Sequence, residues 1–73
     1  MNILFVCTGN TCRSPMAAGI FDKLAVENEL DVRIESAGLF AHEGDPATPE
    51  AVEAVKKYDV DLSGHRAKQL TQE

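Results

Sequence analysis

Residues 3–15 decide the fold and read Ile-Leu-Phe-Val-Cys-Thr-Gly-Asn-Thr-Cys-Arg-Ser-Pro. The apolar run that opens this stretch does not alternate with polar residues, so it predicts a strand over residues 2–6 that is buried on both faces. Ser14 is of a type that caps helices, and Pro15 suits the first helical turn. The sequence therefore predicts a short loop that joins a buried strand directly to a helix.

The rest of the chain continues the alternation of strands and helices. Apolar residues recur at helical spacing in two stretches, and between these stretches a third one alternates as a half-buried strand does. The predicted elements are helices over residues 14–28 and 49–58, a strand over 32–36, a polar loop over 41–47, an irregular segment over 60–70 and a further helix start over 71–73. We therefore predict an α/β fold with one βαβ unit and a parallel sheet.

The composition is that of a small, acidic globular domain. The 73 residues are 44% hydrophobic and 26% charged, which is typical of folded chains. The formal net charge of −5 argues against nucleic acid and anionic membranes as partners, so any anion site must be local. The apolar start is too short for a signal peptide and lacks a basic leader. Two cysteines without a secretory signal predict a cytoplasmic protein.

The predicted loop combines groups that suit phosphate chemistry. Cys7 supplies a thiol that is nucleophilic as the thiolate, and Arg13 supplies a planar fork that can hold two phosphate oxygens. A tight loop entering a helix directs backbone N–H groups at an anion, and Gly9 permits a backbone conformation with positive φ there. The alternative is a buried apolar Cys7 beside a solvated Arg13. The strand before the loop and the helix after it favour a phosphate site with Cys7 and Arg13 as its catalytic residues.

At this loop the chain resembles the low-molecular-weight protein tyrosine phosphatases, and within them the bacterial protein arginine phosphatases. The resemblance runs from Ile3 through the loop and includes Ser36-Ala37-Gly38 and residues 62–70. It implies the Rossmann-like fold of that family, with residues 1–73 as a single partial domain that forms its N-terminal half and looks truncated. It also implies hydrolysis of phosphoarginine or phosphotyrosine in proteins, through a phosphocysteine intermediate on Cys7.

The resemblance implies a role for each loop residue. The phosphoryl oxygens would be bound by Thr8, Gly9, Asn10, Thr11, Cys12, Arg13 and Ser14. A buried polar network would hold the loop in shape; its members are Asn10, Ser14, Ser36 and His65. The Ser14 hydroxyl would also bond the thiolate. Cys12 would form a reversible disulfide with Cys7 and so protect the nucleophile from over-oxidation.

No cofactor or metal is predicted. A zinc site built from the two cysteines and a histidine is a weak interpretation, because the Cys-x4-Cys pair lies far in sequence from both histidines. On its own, His65 would more often be a surface or capping histidine, and nothing indicates that it is a catalytic base.

Two residues favour phosphoarginine over phosphotyrosine as the substrate. Thr11 matches the threonine whose hydroxyl helps to recognise phosphoarginine, where tyrosine-specific members commonly carry a larger aliphatic residue. Phe40 matches an aromatic wall of the substrate cleft in the arginine subgroup. The alternative makes Thr11 a small loop residue and Phe40 a core aromatic.

A phosphocysteine mechanism also needs a general acid for the leaving group. The family supplies it from an Asp-Pro-aromatic segment farther along a longer chain, whereas Asp45-Pro46 is followed here by Ala47 and reads as a turn. We therefore expect a fragment or split form of a phosphatase, or a phosphate-binding module completed by a partner or by self-association through its open sheet edge. Arsenate reductase ranks lower because no cysteine follows Cys12, and Arg13 argues against a sugar-transport phosphocarrier.

Overall fold

A computed structural model describes residues 1–71 of the chain. In chain order the elements are β1 (Asn2–Cys7), α1 (Arg13–Glu27), β2 (Arg33–Gly38) and α2 (Pro49–Lys56). The α/β class, the βαβ unit and the parallel pairing of the strands are confirmed. The helix start predicted over residues 71–73 falls outside the described residues, apart from Thr71.

The parallel register brings the carboxyl ends of both strands to one edge of the sheet, where Cys7 pairs with Gly38. Gly38 also forms an isolated parallel bridge with Gln69. The Gly38 N–H donates to the Lys68 carbonyl, and the Leu70 N–H donates to the Gly38 carbonyl, each at 2.8 Å. Three chain segments therefore meet beside the loop that follows β1.

The prediction that β1 is buried on both faces is wrong. Its residues alternate between exposed and half-buried, with Leu4 47% and Val6 43% exposed. Phe5 points to the other face, where its ring lies 5.9 Å from that of Phe21 on α1. The cause is that α1 packs against both strands from one side, and within residues 1–71 no helix packs against the other side.

The apolar core lies where α2 and the segment after it pack against α1. Its buried members are Ala47, Ala51, Val55, Val60 and Leu62, and the residues packed against them are Cys12, Met16, Ile20 and Val52. Gly19 of α1 allows a close approach here, since a Cβ at this position would lie 2.9 Å from Val60 Cγ1. The irregular segment over residues 60–70 therefore contributes to the core although it forms no helix or strand.

The two helices begin differently. Thr48 caps α2, because its hydroxyl accepts a hydrogen bond from the Ala51 N–H at 3.1 Å. The prediction that Ser14 caps α1 is wrong: the cap position is Cys12, and its side chain makes no capping bond. Ser14 is the second helical residue, and its hydroxyl is directed at the sulfur of Cys7 instead. This start leaves Ser14 free for a role in the site.

Candidate active site

The sulfur of Cys7 lies at the carboxyl end of β1 and is surrounded by hydrogen-bond donors. Ser14 Oγ is 2.9 Å from the sulfur, and the Asn10 N–H donates to it at 3.2 Å. Partial burial raises the pKa of the Cys7 thiol, but bonds from the Ser14 hydroxyl and from the backbone N–H groups of Ser14, Asn10 and Gly9 outweigh it. The net effect lowers the pKa of Cys7 and favours the nucleophilic thiolate.

Asn10 is the centre of the polar network that holds the loop. It is 0% exposed, and its amide nitrogen donates to Ser14 Oγ at 2.8 Å and to Ser36 Oγ at 2.9 Å. Its side-chain oxygen accepts from the Lys68 N–H at 2.8 Å, and His65 Nε2 lies 2.7 Å from its carbonyl oxygen. Every polar atom of Asn10 is therefore used, and the network joins segments distant in sequence.

The donors and acceptors of this network determine how the Asn10 amide is oriented and where the Ser14 and His65 protons lie. The backbone N–H of Lys68 can only donate, so the Asn10 atom facing it is the oxygen, and the amide nitrogen must face Ser14. Because Ser14 Oγ accepts from that nitrogen, its own proton is free to be donated to Cys7. A carbonyl oxygen can only accept, so His65 Nε2 carries a proton. His65 thus presents a donor to Asn10.

Gly9 permits a positive φ, but the left-handed residue of the loop is Asn10, with φ 55°. Asparagine tolerates this conformation better than most residues, and here the fully bonded side chain holds it. The glycine that the loop requires is Gly38, at the end of β2. A Cβ at Gly38 would lie 2.7 Å from the Thr8 carbonyl oxygen and 3.0 Å from the Asn10 nitrogen.

A cavity of about 260 Å³ opens beside the sulfur and is lined by Val6, Cys7, Thr8, Arg13 and Leu39. The structure thus brings Cys7 and Arg13 to one cavity. Both lie near the N-terminus of α1, where the helix dipole favours negative charge. Val6 and Leu39 were not predicted as site residues. The available signal was their position, since each adjoins one member of the pair formed by Cys7 and Gly38.

The residues predicted to set specificity lie outside the lining of this cavity. Thr11 is half-buried, and its carbonyl accepts from the Thr48 N–H at 2.8 Å. Phe40 is 80% exposed, which rules out a core aromatic. The Phe40 N–H donates to the Thr8 carbonyl at 2.8 Å, so its backbone is tied to the loop while its ring projects outward.

Other predicted residues lie away from the cavity as well. Cys12 packs against the core cluster, and both cysteines are free thiols. Asp45 is exposed, and its carbonyl accepts from the Ala67 N–H at 2.7 Å, as suits a turn residue. In the described part of the chain, no carboxylate lines the cavity beside Cys7. A wider hollow along α2 is flanked by Glu50 and Glu53, whose charges would repel phosphate.

Residues 1–71 lack two other kinds of feature, a cluster of metal ligands and a membrane-spanning helix. No group of three or more histidine, cysteine and acidic residues lies close enough together to hold a metal ion. Among the same residues, no helix combines the length and apolar composition needed to span a membrane.

Comparison with known proteins finds relatives named for both phosphoarginine and phosphotyrosine. Residues 2–73 match the family model described as low molecular weight phosphotyrosine protein phosphatase. A protein-arginine-phosphatase of Bacillus subtilis is 49% identical over 73 residues, which are 100% of this chain and 48% of that relative. The chain thus spans about half the length of the curated relatives it matches.

Solved structures share this architecture over the same extent. A low molecular weight protein tyrosine phosphatase from T. tengcongensis has a TM-score of 0.94 at 56% identity, covering 99% of this chain and 50% of its own. A mutant of the YwlE arginine phosphatase with a phosphorylated active-site serine has a TM-score of 0.92 at 48% identity, covering 97% of this chain and 46% of its own. The βαβα arrangement described above is therefore the fold of these proteins over about half their length.

Proposed function

Since the chain belongs to the low-molecular-weight phosphotyrosine protein phosphatase family, we propose that it supplies the nucleophile of a cysteine-dependent protein phosphatase. One observation carries the proposal: the environment of the Cys7 sulfur. Ser14 Oγ lies 2.9 Å from it and the Asn10 N–H 3.2 Å from it, while Arg13 lines the same cavity. This is the arrangement that a thiolate needs to attack an anion held beside it.

The proposed reaction has two steps. The Cys7 thiolate attacks phosphorus, the bond from phosphorus to the leaving oxygen or nitrogen breaks, and the leaving group takes up a proton. Water then attacks the phosphocysteine, the P–S bond breaks, and inorganic phosphate and the thiolate are released. Arg13 and the backbone N–H groups of residues 8–14 would hold the phosphoryl oxygens in both steps.

The supporting residues take proposed roles from the same geometry. Ser36 and His65 would hold Asn10 in its left-handed conformation, and through it the shape of the loop. For Cys12 the role comes from the resemblance to the phosphatase family and not from the geometry, in which Cys12 packs against the core cluster: it would form a reversible disulfide with Cys7 under oxidation. We place the protein in the cytoplasm, in line with its two free thiols.

We propose phosphorylated proteins as substrates and favour phosphoarginine over phosphotyrosine. The support is Thr11, whose hydroxyl would offer a polar contact to a guanidinium. Sequence identity does not decide between the two substrates, since a relative named for phosphoarginine is 49% identical and one named for phosphotyrosine is 56% identical. Val6 and Leu39 supply an apolar wall that suits the carbon atoms next to the phosphorylated group. Phe40 would extend this wall outward, since its backbone is tied to Thr8.

A second candidate function is phosphate binding without turnover. It is favoured by the lack of a carboxylate among the cavity-lining residues of the described chain, because a leaving group needs a proton donor. In this case residues 1–73 would act as part of a single domain, completed by a partner or by self-association.

The test compares the wild-type chain with Cys7→Ser and with Cys12→Ser, which serves as the matched control. Turnover is measured on p-nitrophenyl phosphate and on a phosphoarginine protein, and vanadate binding is measured in parallel. Turnover that is lost in Cys7→Ser and retained in Cys12→Ser is the result expected for the covalent mechanism. Loss of phosphoarginine turnover in Thr11→Ile would support the arginine assignment.

The remaining outcomes separate the two functions. Vanadate binding without turnover in the wild-type chain would favour the phosphate-binding module. Equal turnover by the wild type and Cys7→Ser would refute the covalent mechanism. Retained phosphoarginine turnover in Thr11→Ile would contradict the assignment of substrate class, while leaving the nucleophile in place.

A further inference from the structure

The side-chain amide of Gln69 clamps the chain segment that follows β2. Its oxygen accepts from the Ala41 N–H at 2.7 Å. Its nitrogen donates to the Leu39 carbonyl at 2.8 Å and to the Leu70 carbonyl at 3.1 Å. One amide therefore bonds both ends of the segment over residues 39–41, and no other side chain in residues 1–71 forms a hydrogen bond to the backbone of that segment.

The same segment is also hydrogen-bonded to residues 7–14, which we call the phosphate loop. The Leu39 N–H donates to the Cys7 carbonyl at 2.9 Å, and the Phe40 N–H donates to the Thr8 carbonyl at 2.8 Å. Leu39 lines the cavity beside Cys7, and Phe40 projects from the adjacent position. Gln69 thus adds a side-chain restraint to the part of the apolar wall that Leu39 and Phe40 form, beside the backbone bonds that tie the same residues to the loop.

The loop and the wall are held by different groups of neighbouring residues. The backbone N–H of Lys68 bonds the Asn10 side chain and so supports the phosphate loop. The side chain of Gln69 supports the wall and makes no hydrogen bond to residues 7–14. Loss of the Gln69 amide should therefore disturb recognition of the organic part of a ligand more than recognition of its phosphoryl group.

We propose that Gln69 is a positioning residue for substrate, which sets the wall of Leu39 and Phe40 against the group that carries the phosphate. This inference rests on the proposed function, because the wall matters only if a phosphorylated side chain enters the cavity. The competing role is purely structural, in which Gln69 stabilises the fold without any preference between ligands. If Gln69 positions the wall, its loss should weaken binding of an organic phosphate more than binding of inorganic phosphate. If its role is purely structural, its loss should weaken both equally.

The experiment measures the Kd of inorganic phosphate and of phenyl phosphate by NMR titration of the full chain. The variants are Gln69→Ala, Gln69→Glu and Phe40→Ala, with Asn28→Ala as the matched control. Asn28 also donates a side-chain amide hydrogen bond to a backbone carbonyl, that of Leu24 at 2.8 Å, but at the far end of α1. Amide spectra show whether each variant is folded.

Gln69→Ala removes all three amide hydrogen bonds and is expected to raise the Kd of phenyl phosphate about fivefold, which is the equivalent of one neutral hydrogen bond lost in the bound state. The Kd of inorganic phosphate should change less than about twofold. Gln69→Glu should behave similarly, because its carboxylate still accepts from Ala41 but repels the Leu39 carbonyl. Adding Gln69→Ala to Phe40→Ala should cause little further loss if Gln69 acts through the wall. Asn28→Ala should match the wild type for both ligands.

Each other result overturns the proposal. An equal loss of affinity for both ligands in the folded Gln69 variants would assign Gln69 a structural role. Unchanged affinity for both ligands would show that the wall does not need Gln69. Losses that simply add in the double variant would show that Gln69 does not act through the Phe40 ring, which would contradict the proposal that it sets Leu39 and Phe40 together as one wall. Failure of the wild-type chain to bind inorganic phosphate would refute the proposed function itself, and the Gln69 assignment with it.

Discussion

The orientation of the polar network predicts that Asn10→Asp will make Cys7 less reactive. In the wild type, the Asn10 nitrogen donates to Ser14 and leaves the Ser14 proton for the sulfur. An aspartate of the same shape accepts from the Lys68 N–H, and from the Ser14 and Ser36 hydroxyls as well, and these bonds favour its ionised form. The Ser14 proton then points away from Cys7, and a negative charge is added nearby.

The magnitude follows from the bond that is lost. A hydrogen bond to a charged group contributes about 1.5–3 kcal/mol, so the thiolate fraction of Cys7 below its pKa should fall roughly 10- to 100-fold. The thiolate that remains is more basic and therefore more nucleophilic, with a Brønsted coefficient of about 0.4–0.5, which offsets about half of this loss on a logarithmic scale. The alkylation rate of Cys7 should thus fall roughly 3- to 10-fold.

The assay is alkylation by iodoacetamide over a pH series, with each cysteine followed separately by mass spectrometry and the rates compared below the pKa that the series gives for wild-type Cys7. Cys12 is the internal reference, since neither Asn10 nor Ser14 bonds its sulfur. Asn28→Asp is the matched control, because it adds the same charge at an exposed site. Ser14→Ala should slow Cys7 in the same direction. An Asn10→Asp chain that is folded and alkylates Cys7 at the wild-type rate or faster would refute the assigned direction of the Ser14 proton.

Three further predictions concern stability, measured by urea unfolding. Gly38→Ala should lower the free energy of unfolding by about 1–3 kcal/mol, since its Cβ would lie 2.7 Å from the Thr8 carbonyl oxygen, and an unchanged midpoint would contradict this contact. Thr48→Ala should cost about 1 kcal/mol through loss of the bond from the Ala51 N–H, whereas Thr48→Ser should retain most of it. The lowered pKa of Cys7 should make stability rise with pH between that pKa and the unfolded-state value of about 8.5, and this contribution is lost as pH falls through the lowered pKa. The slope should be absent in Cys7→Ser, and a slope equal to that of the wild type would show that Cys7 is not its source.

The fold was predictable because its signals are local. The apolar run before Cys7, the helical spacing after Ser14 and the Thr48-Pro49 helix start each depend on neighbouring residues alone. The burial of β1 was not predictable in the same way. An unbroken apolar run indicates that both faces could be covered, but whether a helix covers each face depends on the packing of distant elements, and within residues 1–71 α1 covers one face.

In the candidate site, too, the features set by local sequence were predictable and those set by long-range contacts were not. Cys7 and Arg13 could be named from their spacing in one loop, and the structure places both at one cavity. The left-handed residue of the loop could not be named in the same way, because glycine permits a positive φ without requiring it. Asn10 adopts it because bonds to Ser36, His65 and Lys68 hold it there, and these partners lie 26, 55 and 58 residues away in the chain.

Those long-range bonds bear on how an acidic chain would hold an anion at the proposed site. The attraction would come from directed groups: backbone N–H donors, the start of α1 and the Arg13 guanidinium, all of which act over short distances. Such groups work only while they converge, so the anion site depends on whatever fixes Asn10. His65 and Lys68 provide that restraint from the irregular segment after α2, whose Val60 and Leu62 are buried in the core. The packing of that segment and the geometry of the phosphate loop are therefore one cooperative unit, and the loop sequence alone would not reproduce the site.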